Sequence, residues 1–291
     1  MHVQRFHDGQ ITLIHGDCME VMRQLRPNIV DFVFADLPYA KTANKWDTPL
    51  DLRELWALYH RLGKPTTPYT FTASNGFEFE LHASNPTQYK YKWTWFKNNS
   101  AGFALARKRP LNVTEDVLTF GDQVADEPPV RPIEAYDLEF HVAESVLIFG
   151  ANGIPYNPLM VTRPKFRHKG GYSKSGNYGN LDPSKVDIYN NTYYPKSLIN
   201  IPNASQVGKY HATQKPIELM EYLIRTYTNE GDLVLDNTMG VGSTALACMR
   251  CNRRFIGIEL YPLPGMIATD SRGSNPNNFG IAMQRVAGEL D

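Results

Sequence analysis

The sequence predicts an α/β protein, a doubly wound and mostly parallel sheet interrupted by an inserted irregular region. Three observations lead there. Short apolar runs rich in β-branched and aromatic residues, such as Val30–Ala35 and Leu233–Leu235, alternate with stretches of helical periodicity, the pattern of strand–helix–strand units. Two of these runs end in a carboxylate and then turn at once, at Asp36-Leu37-Pro38-Tyr39 and at Asp236-Asn237-Thr238-Met239-Gly240-Val241-Gly242. The stretch from Asn152 to Lys209 shows no apolar periodicity.

Taken in order, Ile11–His15 reads as a strand, Gly16-Asp17 as its turn, and Cys18–Leu25 as a helix with Val21, Met22 and Leu25 on one side. A second strand ends at Asp36 after a short link, as parallel pairing requires. Leu52, Leu55, Trp56, Tyr59 and Leu62 mark an amphipathic helix. Tyr69–Ala73 is the next strand, closed by the turn Ser74-Asn75-Gly76. Tyr89–Phe96 alternates aromatics with Lys90, Lys92 and Thr94, a strand with one exposed face. Asn112–Gly121 and His141–Gly150 echo each other, and one slot in the sheet can take only one of them; its place after Arg109-Pro110-Leu111 favours the first. The acidic, proline-bearing segment between them reads as an insertion.

Past the irregular region, Pro216 suits the start of a helix lined by Ile217, Met220, Ile224 and Tyr227. Leu233–Leu235 then delivers Asp236 to a loop where Gly240 and Gly242 permit left-handed backbone and close approach of a ligand. Ser243-Thr244 opens the next helix, whose first N–H groups can meet an anion. Phe255–Glu259 is a strand ending in an acid, placed to bind ribose hydroxyls. Tyr261–Asn278, rich in Gly, Pro, Asn and Ser, reads as a second insertion before Phe279–Val286.

Composition bounds what such a chain can do. It has 291 residues, long enough for one large α/β domain with an inserted lobe or for two domains. Thirty basic and thirty acidic side chains cancel, so any hold on nucleic acid must come from local patches. Two such patches stand out. Arg107, Lys108 and Arg109 are adjacent, and Arg163, Lys165, Arg167 and Lys169 open a basic segment that continues through Lys174, Lys185, Lys196 and Lys209 with Tyr172, Tyr178, Tyr189, Tyr193 and Tyr194 interleaved, a pattern suited to phosphates and stacked bases. Three cysteines make no disulfide framework; Cys248 and Cys251 form a C-x-x-C without a second pair or a His cluster, so no metal site is expected. No signal core and no membrane-length apolar run is present, so a cytoplasmic protein is expected.

Asp36-Leu37-Pro38-Tyr39 resembles the (Asp/Asn/Ser)-Pro-Pro-aromatic motif of amino-methylating DNA methyltransferases. Asp236–Thr244 resembles their AdoMet-binding loop, His211-Ala212-Thr213-Gln214-Lys215-Pro216 their His-Pro-Thr-Gln-Lys-Pro segment, and Phe255–Glu259 the following strand. With the catalytic motif first and the AdoMet loop late, the order is similar to the β class, found in phages and restriction–modification systems. The likeness departs at Leu37, at Ala212 and at the two insertions. It implies a sheet of the AdoMet-dependent methyltransferase type divided into a catalytic half (1–121), the acidic insertion and strand (122–150), a target-recognition region (151–210) and an AdoMet-binding half (211–291).

The resemblance also implies residue roles. Asp36, Leu37, Pro38 and Tyr39 are catalytic. Asp17, Asp36, His211, Thr213, Lys215, Asp236, Thr238, Gly240, Gly242, Ser243, Thr244 and Glu259 bind S-adenosyl-L-methionine. Asp17 serves equally as a helix cap. Lys45, in an Asn-Lys-Trp-Asp like that of phage enzymes, joins the two basic patches in binding double-stranded DNA. A homodimer and a cognate restriction endonuclease are compatible with it. The reaction implied is methylation of adenine N6 by base flipping, with the acid at position 36 leaning toward adenine; cytosine N4, a protein glutamine, and an inactive AdoMet-binding module are the alternatives.

Overall fold

In the computed structural model of this chain, the residues described are 1–39, 47–74, 76–101, 112–120, 155–169, 188–204, 209–211, 213–260 and 277–290. Lys45, the Arg107–Arg109 run, the acidic insertion, the second copy of the echo and 261–276 lie outside them.

The chain runs β1 (His2–Phe6), β2 (Ile11–His15), α1 (Cys18–Gln24), β3 (Phe32–Ala35), α2 (Leu52–Leu62), β4 (Tyr69–Ala73), α3 (Phe77–Ser84), β5 (Tyr89–Ala101), β6 (Asn112–Phe120), β7 (Val161–Lys169), β8 (Ile188–Tyr193), β9 (Leu198–Asn200), α4 (Ile217–Tyr227), β10 (Leu233–Asp236), α5 (Ser243–Arg250), β11 (Arg254–Glu259) and α6 (Asn278–Val286). Nine strands form one sheet in the order β1-β2-β11-β10-β3-β4-β6-β5-β9. Its centre, β2-β11-β10-β3-β4, is parallel throughout. β1 closes one edge antiparallel, and β6 pairs antiparallel with both β4 and β5. The α/β doubly wound class is thus the observed one, and the first copy of the echo supplies β6.

Alternation along β3 explains the two layers. Phe32 and Phe34 face a core shared with α4, α5 and α6, whereas Val33 and Ala35 face one shared with α1, α2 and α3. A parallel strand buried on both faces is apolar on both, which is why Phe32–Ala35 carries no polar residue. α2 starts where Asp51 accepts the N–H groups of Arg53 and Glu54. Its buried face is the predicted one, with Leu55, Trp56, Tyr59 and Leu62.

The strands whose ends carry the two motifs are β3 and β10. They come from opposite ends of the sequence yet are neighbours, with Leu235 level with Val33. Asp31 fixes this pairing at its start: its N–H donates to Leu233 O and its carboxylate accepts Leu233 N–H, each at 2.9 Å. From β10 the sheet continues one way to β11 and from β3 the other way to β4, so strand order reverses between them. Ligands of open α/β sheets bind outside the carboxyl ends of the strands at such a reversal.

Five elements escaped the sequence pattern: β1, α3, β7, β8 and β9. β1 is a half-exposed edge strand, and α3 begins immediately after the turn expected at Ser74–Gly76, on a left-handed Gly76. α3 buries only Phe77 and Leu81, too few for a periodic signal. Pro158–Lys196 clusters as a compact unit of its own, inside the predicted 151–210 region, and the remainder of the chain forms the other unit. Within the smaller unit β7 and β8 pair antiparallel with an irregularity between Thr162 and Arg167, where Pro164 has no N–H to give. β9, by contrast, belongs to the large sheet, parallel to β5.

Candidate active site

Asp36 leaves the end of β3 with its carboxylate held on both oxygens. Lys215 Nζ lies 2.6 Å from Oδ2, and the Thr72 hydroxyl donates to Oδ1 at 2.5 Å. The Tyr39 hydroxyl sits 2.8 Å from Oδ1 and 3.0 Å from Thr72 O, with one hydrogen to share between them. The three donors come from the turn after β3, from β4 and from the segment before α4. Leu37 is 3% exposed and packs into the core beside α1, α2 and α3, so a leucine there fills volume and leaves the polar groups of the turn in place. The Tyr39 ring is stacked on Phe77, centroids 4.7 Å apart and planes at 22°.

The tip of β10 is built differently. Asp236, 2% exposed, turns back into its own loop, accepting Thr238 N–H at 3.0 Å and the Thr244 hydroxyl at 2.6 Å. Burial pushes its carboxyl up to about 7 against those two bonds, and the nearby charges of Asp36 and Glu259 push the same way. Gly240 and Gly242 both have positive φ, 53° and 81°. A Cβ on Gly242 would stand 3.0 Å from Ala282 Cβ, so α6 packs directly on the loop. Glu259 accepts Gly240 N–H at 3.0 Å through its carboxylate, and Gly16 N–H at 3.0 Å through its carbonyl. It therefore ties the glycine loop to the tip of β2. Asp17 caps α1 by accepting Glu20 N–H at 3.0 Å.

Around this loop, the buried atoms Thr238 Oγ1, Ser243 Oγ and His15 Nε2 have no hydrogen-bond partner among the described residues. Buried polar groups are normally paired, so orphans gathered at neighbouring strand tips fit a site made for a polar ligand. Gly242 at the start of α5 adds a surface without side chains beside them. These residues suit the amino-acid and ribose parts of a nucleoside-linked methionine.

The segment before α4 folds on itself. Tyr210 N–H donates to Gln214 Oε1, Gln214 N–H to His211 O, and the Thr213 hydroxyl meets His211 Nδ1 at 3.0 Å. Pro216 stands just before the first helical residue. Thr213 is exposed, whereas the Lys215 side chain is 11% exposed and directed at Asp36.

Comparison with known proteins places the chain in a family. Residues 30–263 match the family profile described as DNA methylase, of the N6/N4 type. The chain belongs to the N6/N4 DNA methylase family. As a member it is a DNA methyltransferase of the restriction–modification type that takes its methyl group from S-adenosylmethionine. Among relatives, the Type II methyltransferase M.HindIII of Haemophilus influenzae is 24% identical, over 91% of this chain and 96% of that protein. The DNA adenine methyltransferase YhdJ of Escherichia coli is 25% identical, over 88% and 80%. Two solved structures share the fold: the M1.HpyAVI–SAM complex, with TM-score 0.54 and 23% identity over 95% of this chain and 98% of that one, and the cytosine-N4-specific PvuII DNA methyltransferase, with TM-score 0.53 and 14% identity over 96% and 93%.

For the family's chemistry, the geometry brings Asp36, Tyr39 and Lys215 together, and sets Asp236, Gly240, Gly242, Ser243, Thr244 and Glu259 at the adjacent tips. Thr72, Phe77 and Arg285 carried no motif. Thr72 had one readable signal, a polar residue near the carboxyl end of a fully buried strand. Arg285, 2% exposed, donates to Val241 O at 2.7 Å and lies over the Tyr210 ring. It thereby links the glycine loop to the His211 segment.

Proposed function

We propose that this enzyme methylates N6 of an adenine turned out of double-stranded DNA, in the cytoplasm of a bacterial or phage-infected cell. The observation that carries the reading is the Asp36 carboxylate, fixed by donors from both halves of the chain at the strand tip next to the glycine loop. Adenine N6 is a weak nucleophile because its lone pair is delocalised into the ring. Accepting its two hydrogens, one on Asp36 and one on the Pro38 carbonyl, favours the tetrahedral nitrogen that attacks. That is stabilisation placed where positive charge develops, and holding the methyl donor in line lowers most of the remaining barrier. Tyr39 stacks on the everted base with Phe77 behind it. Asp17, His211, Thr213, Thr238, Ser243 and Glu259 complete the AdoMet site.

An acid at the first motif position supports adenine, as does the name of the Escherichia coli relative. Arg163 and Lys165 are exposed on β7, with the Arg163 guanidinium 4.2 Å from the Tyr193 ring centroid. Together with Arg167 and Lys169 on the same strand, they supply phosphate contacts. The test is to incubate the protein with AdoMet and mixed-sequence duplex DNA, digest it, and identify the modified nucleoside by mass. N6-methyladenine is expected; N4-methylcytosine would overturn the choice of base.

A further inference from the structure

We propose that Lys215 is a positioning residue for Asp36 and not a ligand of the cofactor, an inference that rests on the reading of Asp36 as the acceptor for the target amino group. The motif likeness assigns Lys215 to AdoMet together with its neighbours. The structure separates it from them. His211, Thr213 and Gln214 close a turn on each other, and α4 begins two residues after Lys215. The lysine backbone is thus fixed from both sides, and its ammonium reaches back across 179 positions of sequence to Asp36 Oδ2.

Counting acceptors shows what this contact does. A carboxylate offers about four lone-pair directions. On Asp36, Oδ1 takes the Thr72 hydroxyl and shares the Tyr39 hydroxyl, and Oδ2 takes Lys215. Among the described residues at most three directions are used, and the one left lies on Oδ2, the oxygen that Lys215 holds. The amino hydrogen of the base therefore meets an oxygen whose position the lysine sets. Removing the lysine would leave the carboxylate held through Oδ1 alone, so that Oδ2 shifts as the side chain relaxes about its Cα–Cβ and Cβ–Cγ bonds.

Charge points the same way. Asp36, Asp236 and Glu259 are three acids close enough for the first and third to act on the second. Among the described residues, Lys215 makes the ion pair with Asp36, and its side chain is the less exposed of the two, 11% against 26%. A salt bridge of this burial is costly to halve, because the partner left behind is a poorly solvated charge. The sulfonium of AdoMet is itself a cation, so an ammonium beside the reaction centre is tolerated when a carboxylate already neutralises it.

The experiment measures AdoMet affinity by equilibrium dialysis and methyl transfer to duplex DNA in a single turnover at saturating AdoMet, for wild type, Lys215→Met and Lys215→Arg. We expect AdoMet affinity within about threefold of wild type in both variants. A misplacement of about 1 Å at a reacting group costs on the order of 100-fold, so transfer in Lys215→Met should fall by about that factor. Lys215→Arg, which keeps the charge, should recover at least about tenfold of it, and Lys215→Gln takes the place of the Met variant, with the same thresholds, if that one does not fold. AdoMet binding weakened tenfold or more, or transfer within threefold of wild type in Lys215→Met, would overturn the proposal. The wild-type product keeps the two readings apart. N4-methylcytosine sinks the adenine assignment while the same ratios still decide the role of Lys215; a wild type that binds AdoMet and transfers nothing sinks both.

Discussion

The two strand tips that make the site solve opposite problems. At the end of β3 the charged group is held in place with one acceptor direction left open: Asp36 has an ammonium, a threonine hydroxyl and a tyrosine hydroxyl around it. At the end of the neighbouring β10 the acid faces inward, and the loop leaves Thr238 Oγ1 and Ser243 Oγ buried without partners among the described residues. A preorganised acceptor suits a catalytic group, since it does not rearrange when charge develops. An under-satisfied loop suits a binding site, because each unpaired buried group costs about 1–3 kcal/mol until a ligand meets it. Chemistry and cofactor binding should therefore be separable by mutation.

The sharpest way to break that division is Asp36→Ala. Methyl transfer should fall by about a thousandfold or more, while AdoMet binding, measured by dialysis, stays within a few-fold. Normal transfer in this variant would remove Asp36 from the mechanism.

Gly242→Ala attacks the other tip. Its φ of 81° costs an alanine about 1–2 kcal/mol, and the new Cβ would press on Ala282 of α6. Urea unfolding should show that loss, and AdoMet affinity should drop with it. Unchanged affinity would mean that the loop is not the cofactor's seat.

The smallest effect comes from Asp236. Its carboxyl is raised from 3.8 to about 7 in the folded protein. Across that window the folded state keeps a proton that the unfolded chain has released, so stability falls as pH rises. Asp236→Asn does not titrate. Its stability relative to wild type should climb with pH, by about 1 kcal/mol between pH 6 and 7. A pH-independent difference would mean that Asp236 is ionised throughout.

Much of the sheet was legible because its signals are local. β2, β3, β4, β10 and β11 announced themselves as short apolar runs, and α2 and α4 as stripes at helical spacing. β1, α3 and the β7–β8 pair did not: β1 and α3 bury few side chains in a regular pattern, and on β7 the described side chains, Val161–Phe166, are exposed. In the site, the acid-proline-tyrosine turn and the glycine loop were readable as motifs. Phe77 was not, because its function is to lie behind Tyr39, and no spacing encodes that. Arg285 was hidden in the same way: a buried arginine on a helix face looks like any charged residue until its carbonyl partner on Val241 is seen.

By itself, then, the sequence determined which tools stand at which strand ends: a carboxylate and an aromatic ring after β3, a left-handed glycine bend after β10, an acid after β11. Each follows from chemistry within a few residues. Only the tertiary structure decided that β10 lies beside β3, that Lys215 belongs to Asp36, and that Tyr39 rests on Phe77. Those facts depend on strand order and on packing between residues far apart in the chain, and periodicity carries no information beyond the element in which it repeats.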